Sequence, residues 1–294
     1  MTGEKRAITV ESSKNLIVSK QDTDSLALGY QAKVGDHSFQ ASGRHDYISR
    51  LGGHNSSFLG YGYRLGMGWT VRAAYGMAFH APSFNDLYWP LDTINFYQGN
   101  PNLKPEKARN REIGLTYSAP GVSAGLTLYH NQVTNLIDYV VDPTTRISSV
   151  ENVNSATIKG ASLEYAAKKD AWLWKGSIDF LNAKDDLTNK TLQRRAPRTA
   201  NIELRRDFMQ FDVGARVQAT SGRFNDRNNT QELSGYATVD LDANYRITPS
   251  WRLEARINNL FDKDYTLVRN TFPPYNDYAV PGRIFFAGLR YAPK

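Results

Sequence analysis

The fold is decided by residues 75–117, which begin Tyr75-Gly76-Met77-Ala78-Phe79-His80-Ala81-Pro82-Ser83, continue through Gly99-Asn100-Pro101-Asn102-Leu103-Lys104-Pro105-Glu106-Lys107 and finish Glu112-Ile113-Gly114-Leu115-Thr116-Tyr117. Both ends alternate apolar residues with polar or small ones, which is the period of a strand with two different faces. Prolines 82, 90, 101 and 105 interrupt the middle, and proline has no N–H to donate to a strand ladder. The stretch therefore predicts two strands joined by a long loop.

The same alternation recurs along the whole chain and predicts about 14 antiparallel strands, and helical periodicity does not prevail in any stretch. The strands are expected near residues 5–11, 24–33, 38–47, 56–65, 69–79, 110–119, 121–133, 154–167, 171–183, 198–206, 209–220, 236–247, 251–262 and 282–292. Short turns alternate with long loops, and the long loops are expected near 12–23, 48–55, 80–109, 134–153, 184–197, 221–235 and 263–281. This arrangement is typical of an up-and-down transmembrane β-barrel, with the short turns periplasmic and the long loops extracellular.

A soluble β-sandwich is the alternative, because it also alternates apolar and polar residues. Strands of about ten residues favour the barrel, since a tilted strand needs that length to cross the hydrocarbon layer. Aromatic residues at strand ends, such as Trp69, Trp172, Trp251 and Tyr291, also resemble the interfacial girdles of such barrels.

Composition excludes several other classes of function. The 294 residues carry a formal net charge of +7, but Lys and Arg are scattered, which predicts a solvated surface and no nucleic-acid partner. Cysteine is absent, so disulfides and thiolate metal sites are excluded. No stretch approaches the roughly 18 apolar residues of a membrane helix. The first residues lack the apolar segment of a signal peptide, so we expect the sequence to begin downstream of any export signal.

The polar face of each strand is predicted to line the barrel lumen. Lipid exposure of Arg or Lys near the bilayer midplane costs about 2–4 kcal/mol, so these side chains should point inward. The predicted lumen-lining residues are Arg72, Glu203, Arg205, Asp212, Arg216, Asp240, Asp242, Arg252, Glu254 and Arg256.

Several motifs in their order along the chain resemble the signature of TonB-dependent outer-membrane transporters. They are Ala81-Pro82-Ser83 with Gly99 to Glu106, Glu151-Asn152-Val153 with Ile158 to Glu164, Arg194-Arg195-Ala196-Pro197, Asn259 to Tyr265, and Pro281-Gly282-Arg283. The resemblance spans roughly residues 69–292 and implies a bacterial outer-membrane location, contact with outer-membrane lipid, and energy obtained through TonB.

The resemblance also implies how residues 1–294 relate to a whole receptor. Such barrels have 22 strands around a plug, so about 14 strands would form the C-terminal part of the barrel. The N-terminal plug, the motif that TonB grips and the remaining strands are expected to be missing or to lie on a separate chain. The ending Tyr291-Ala292-Pro293-Lys294 departs from the aromatic last residue usual in these barrels.

Within the family, Tyr129 to Tyr139, Leu192 to Ala196 and Asn258 to Tyr265 are most similar to the cobalamin-transporting members, which implies a corrinoid ligand. Siderophore transporters share much of this pattern, so a ferric siderophore remains an alternative ligand, and a passive pore remains an alternative function. Loop aromatics that could stack on a large flat ligand, or instead pack loop against loop, are Tyr88, Trp89, Phe96, Tyr97, Phe224, Phe272, Tyr275 and Tyr278.

No enzyme, cofactor or metal site is predicted. The five histidines are scattered and none pairs with another at a metal-ligand spacing. An outer-membrane hydrolase would need a nucleophile with a positioned base, and no local motif marks one. Asp22 with Asp24, or Asp185 with Asp186, would suit calcium at an outer loop, although solvated carboxylates are the commoner explanation.

Overall fold

The computed structural model describes residues 2–9 by their main chain, and residues 20–152, 155–270, 277–278 and 280–292 in full. The elements in chain order are β1 (Thr2–Thr9), β2 (Lys20–Val34), β3 (His37–Ile48), β4 (Gly52–Gly66), β5 (Trp69–His80), α1 (Phe84–Tyr88), β6 (Glu106–Ala119), β7 (Val122–Thr134), β8 (Ile137–Val141), β9 (Ser148–Asn152), β10 (Ser155–Lys169), β11 (Trp172–Asp185), β12 (Arg198–Asp207), β13 (Phe211–Thr220), β14 (Arg223–Phe224), β15 (Glu232–Leu233), β16 (Tyr236–Arg246), β17 (Trp251–Asn258) and β18 (Ile284–Tyr291).

In the described residues, 14 strands form one antiparallel sheet in the order β1-β2-β3-β4-β5-β6-β7-β10-β11-β12-β13-β16-β17-β18. Neighbours in the sheet are neighbours in the chain, except where the hairpins β8–β9 and β14–β15 are inserted into long loops. The predicted all-β, up-and-down architecture is confirmed. β1 and β18 are the outer strands of the sheet.

The ladder register separates an apolar face from a polar face. Between β13 and β16, Val217 lies opposite Val239 and Arg216 lies opposite Asp240, so like residues share a face. Large side chains on the apolar face remain exposed, among them Leu28 (63%), Ile113 (61%) and Ile202 (55%). A broad exposed apolar wall of this kind is what contact with lipid requires.

Aromatic pairs mark the apolar face at the short-turn end of the sheet. Ring centroids are 5.0 Å apart for Trp69 and Tyr117, and 4.8 Å apart for Trp251 and Tyr291. Trp172 and Trp174 stack at 5.9 Å beside the turn between β10 and β11. We call this band the aromatic girdle.

The predicted long loop at 48–55 is wrong. β3 continues to Ile48 and β4 begins at Gly52, so only three residues connect them. The turn is made possible by positive φ angles at Arg50 (73°) and Gly52 (86°). His54 and Asn55 belong to β4 although both are polar. A strand that extends beyond the apolar layer can be polar on both faces, so polarity alone did not mark a loop here.

One short helix, α1, forms within the loop between β5 and β6, and its five residues are too few to show a helical period. Ser83 caps it, with the Asp86 N–H donating to Ser83 Oγ at 3.2 Å and the Ser83 N–H donating to Asp86 Oδ2 at 2.8 Å. Trp89, which precedes Pro90, is extended at ψ 123° and ends the helix. No helix in the described part of the chain is long and apolar enough to cross a membrane.

Candidate functional site

The loop at residues 81–105 and the β8–β9 hairpin form a small apolar core at the long-loop end of the sheet. Leu87 (2% exposed), Leu103 (4%) and Val150 (8%) make up this core, and Tyr88 and Ile137 pack against it. We call it the loop core. Because the sheet itself buries few large side chains, this core is what gives the first long loop a fixed shape.

Hydrogen bonds across the same contact hold the loop to the hairpin. The Gln98 N–H donates to the Ser148 carbonyl at 2.9 Å, and Asn100 Nδ2 donates to the Val150 carbonyl at 3.0 Å. The Lys104 N–H donates to Asn152 Oδ1 at 2.7 Å. Residues 99–106, which carry the transporter-like signature, therefore have a structural role, because they attach the loop at 81–105 to the β8–β9 hairpin.

Tyr97 and Phe96 lie where this loop meets solvent. The Tyr97 ring is parallel to that of Tyr139, with centroids 6.0 Å apart and 3° between the planes. Burial, followed by the nearby Asp86 carboxylate and Tyr139, raises the pKa of Tyr97 from 10.0 to about 12. Phe96 is 51% exposed, so it presents an aromatic face outward beside a stacked pair.

A second group of loops is held together by side chains that bind main chain. Asn225 is 2% exposed, and its Nδ2 donates to the Arg269 carbonyl while its Oδ1 accepts the Arg269 N–H, both at 3.0 Å. Arg223 Nη2 donates to the carbonyls of Thr266 (3.1 Å) and Leu267 (2.9 Å). These contacts fasten residues 266–269 to the β14–β15 hairpin.

Further bonds join the loops into one layer. The Thr191 N–H donates to Asn229 Oδ1 at 2.8 Å, and the Arg194 N–H donates to the Phe224 carbonyl at 2.7 Å. Gln193 Nε2 donates to Asp138 Oδ1 at 2.9 Å, which links this group to the β8–β9 hairpin. The long-loop end is thus a connected surface rather than a set of separate loops.

Below that layer, the polar face carries a network centred on Arg205. The guanidinium bonds Asp212, reaches Asp242 at 2.6 Å, and lies 3.8 Å from Glu203. Glu203 also pairs with Arg216 at 3.7 Å. Gly214 makes room for this arrangement, since a Cβ there would lie 2.7 Å from Asp242 Oδ1. Alternating charge in this network limits the cost of placing so many ionised groups on one wall.

The register places all the residues predicted to line a lumen on this same polar face. The set is Arg72, Glu203, Arg205, Asp212, Arg216, Asp240, Asp242, Arg252, Glu254 and Arg256. Arg72 donates to Thr127 Oγ1 at 3.1 Å, and Asp240 Oδ1 accepts the Asn259 N–H at 2.8 Å. Glu203, Asp212 and Asp242 contact Arg205, and Arg216 joins them through Glu203, whereas Arg72 bonds Thr127 instead.

The predicted ligand-contacting aromatics occupy different environments. Tyr88 packs on the loop core, Trp89 and Tyr97 are half-buried, and Phe96 is exposed. In the second loop group Phe224 is half-buried and Tyr278 is 64% exposed. Phe272 and Tyr275 lie outside the described residues. Phe96 and Tyr97 are adjacent in the loop, one exposed and one half-buried, whereas Tyr88 packs on the loop core.

Several residues that shape the loop surface had no place in the sequence prediction. Tyr139 stacks on Tyr97, and buried Arg223 and Asn225 bind a neighbouring main chain. Asp92, 4% exposed, accepts the N–H groups of Ile94 and Asn95. Only the last had a readable signal, because an Asp before polar loop residues suggests a turn closed by its own carboxylate. Across the described residues no group of three His, Asp or Glu side chains is placed to hold a metal.

Known proteins resemble this chain over most of its length. Residues 7–260 match the family described as TonB dependent receptor-like, beta-barrel. The chain is 32% identical over 277 residues to a vitamin B12 transporter of Photobacterium profundum, covering 92% of this chain and 43% of that protein. A vitamin B12 transporter of Vibrio vulnificus is 30% identical over 252 residues, with 86% and 40% covered.

Solved structures share the fold. A mutant of the ferric enterobactin receptor from Pseudomonas aeruginosa superposes with a TM-score of 0.76 at 23% identity, covering 93% of this chain and 45% of that one. The siderophore receptor PirA from Acinetobacter baumannii gives 0.74 at 20% identity, covering 92% and 46%. The chain spans less than half the length of these relatives.

Proposed function

Because the chain belongs to the TonB-dependent receptor β-barrel family, we propose that it supplies barrel wall and extracellular loops to an outer-membrane receptor for a corrinoid such as vitamin B12. The observation that supports a corrinoid as the ligand is the 32% identity to a vitamin B12 transporter over 92% of the chain. Residues 1–294 are proposed to be barrel throughout and to include no plug.

The loop surface suits a ligand of this shape. A corrinoid is large and flat, and exposed aromatic rings on a fixed support give such a ligand area for stacking. Phe96 lies on the outer side of the loop beside the Tyr97–Tyr139 stack, and the loop core beneath it removes part of the entropy cost of ordering the loop on binding. We propose Phe96 and Tyr97 as the first contacts, with Trp89, Phe224 and Tyr278 at the margins.

Transport of the ligand through the lumen is proposed to need a plug in addition to residues 1–294. The polar face offers a charged lining, including Arg205 and Arg216, but a plug that gates the lumen and contacts TonB would have to be added. This chain alone should therefore bind ligand without transporting it. Uptake of vitamin B12 by a receptor-deficient strain that expresses residues 1–294 and no second receptor chain would contradict the proposal that these residues bind ligand without transporting it.

Binding itself is tested with the purified chain in detergent. We expect cyanocobalamin to quench its tryptophan fluorescence saturably. Phe96→Ala should weaken that binding about tenfold, which corresponds to loss of roughly 1–2 kcal/mol of stacking. Ile94→Ala is the matched control, because Ile94 lies in the same loop and is 81% exposed. Equal losses in the two variants would exclude the proposed aromatic contact.

The alternatives give different outcomes in the same preparation. Saturable binding of ferric enterobactin, with none of cyanocobalamin, would assign the receptor to siderophores. Steady single-channel conductance in a planar bilayer, with neither ligand bound, would favour a passive pore. We propose transport rather than catalysis, since the family consists of receptors.

A further inference from the structure

Two cations lie on the apolar face within the aromatic girdle, on the side where the connections between strands are short. Trp172 of β11 is opposite Arg206 of β12 in one ladder and opposite Lys169 of β10 in the other. Directly opposed residues of antiparallel strands share a face, so Lys169, Trp172 and Arg206 form a row across three strands. Phe208, two residues beyond Arg206, completes what we call the girdle cation cluster.

The Arg206 guanidinium is held by aromatic rings. Its Cζ lies 4.9 Å from the centroid of Trp172 and 4.7 Å from that of Phe208. Phe208 is in turn stacked on Phe211 at 4.3 Å, and Trp172 on Trp174 at 5.9 Å. Cation–π contact fixes the direction of the guanidinium but leaves its N–H donors available for an acceptor.

No carboxylate of this chain satisfies those donors within the residues that the structure describes. Asp207 follows Arg206 directly, but its ladder position opposite Asp212 places it on the polar face. Asp170 lies in the turn beside Lys169. Both Arg206 and Lys169 are exposed. Two cations on an apolar wall, one aligned by rings, are thus placed for an anion that comes from the lipid side.

We propose that the girdle cation cluster binds the phosphate of an anionic phospholipid headgroup. A guanidinium matches two phosphate oxygens with parallel N–H bonds, and a lysine adds a second charge. Strands are about 4.8 Å apart, so Lys169 and Arg206 begin about 10 Å apart and their long side chains reach one headgroup. The site rests on the proposed membrane location. An arginine there is inexpensive, because the cost of Arg facing lipid falls to about 0–1 kcal/mol near the interface.

The test uses the full chain in dodecylmaltoside micelles, with Trp69, Trp89 and Trp251 changed to Phe so that Trp172 and Trp174 report. Acyl-brominated phosphatidylglycerol and brominated phosphatidylcholine are titrated in separately. We expect the anionic lipid to quench at severalfold lower mole fraction. Arg206→Gln and Lys169→Gln should each reduce that preference about fivefold, the effect of about one interfacial cation. Micelles keep this result independent of bilayer insertion, which is measured separately in vesicles.

Arg290→Gln is the matched control, since it removes one positive charge from the polar face near the same end, where Arg290 lies opposite Arg252. It should leave the preference for phosphatidylglycerol unchanged. Equal quenching by the two lipids, an unaltered preference in Arg206→Gln, or the same loss in Arg290→Gln would each overturn the site. Displacement of the lipid by inorganic phosphate at constant ionic strength would assign the cluster to free anions instead.

Discussion

Replacing Leu103 by alanine should open the loop at residues 81–105 without unfolding the sheet. Leu103 is 4% exposed in a core of three buried residues, none of which belongs to a strand of the 14-stranded sheet. Loss of three carbons at about 0.8 kcal/mol each gives roughly 2.4 kcal/mol. This lies near the lower end of the ~2–5 kcal/mol range for buried Leu→Ala, as suits a small core that can collapse. About 2.5 kcal/mol corresponds to a roughly 70-fold larger opening constant.

Hydrogen exchange followed by mass spectrometry measures that constant locally. The informative amides are those that close the loop, Gln98 donating to Ser148, Ser148 donating to Phe96, and Gly99 donating to Trp89. We expect these to exchange about 70-fold faster in Leu103→Ala, whereas amides within β5 and β6 keep their protection, because loop and sheet open independently.

Ile94→Ala supplies the comparison within the same loop. Ile94 is 81% exposed, so its truncation should change the opening free energy by less than about 0.5 kcal/mol. If Leu103→Ala leaves exchange at Gln98 unchanged, the loop core does not hold the loop. If it accelerates exchange equally in β5 and β6, the loop and the sheet are one cooperative unit.

Three further predictions concern other parts of the chain. Gly214→Ala would bring a Cβ against the side-chain ends of Asp242 and Arg205, which can shift, so it should cost about 1 kcal/mol and slightly lower the temperature at which the sheet's circular dichroism is lost. A cost of about 3 kcal/mol would mean that the charge network does not adjust. The raised pKa of Tyr97 means that its neutral phenol stabilises the loop fully below pH 10.0 and that this stabilisation is lost as pH rises toward about 12. Tyrosinate absorbance that differs between wild type and Tyr97→Phe should thus have its midpoint near 12, and a midpoint near 10 would contradict the burial. Partial burial tends to raise the pKa of Asp226, but hydrogen bonds from N–H and O–H groups of its own loop hold that pKa below 3.8. The loop should therefore lose stability as the pH falls below 3.8, and pepsin should then cleave it faster. Asp226→Asn should remove this pH dependence.

The strands of the sheet were predictable because a wall between two different environments imposes a period of two on the sequence. β13 and β16 show it fully, with Val217 opposite Val239 on one face and Arg216 opposite Asp240 on the other. The alternation depends only on local position, so it survives without knowledge of the partner strand. The same rule predicted that Arg216 and Asp240 share a face, but it did not predict Lys169 and Arg206 on the apolar face.

The structure inside the long loops was not predictable in the same way. β8 spans five residues, Ile137–Val141, and is stabilised by its hairpin partner and by the loop core rather than by an alternating pattern. α1 is also five residues long, too short for a helical period, although the spacing of Ser83 and Asp86 was a readable capping signal. Asn225 resembles any polar loop residue until the main chain of Arg269 is placed against it.

The hydrogen bonds that hold residues 266–269 have a consequence for how this protein can change over time. Arg223 and Asn225 grip carbonyl and N–H groups, which every residue type carries, and not the side chains of the segment they hold. Mutation can therefore alter the chemical character of 266–268 while the segment keeps its position. Position 269 must avoid proline, because its N–H is a donor to Asn225. The main-chain hydrogen bonds are independent of the side chains at 266–268, so the chemistry of this loop surface can change without a change of fold.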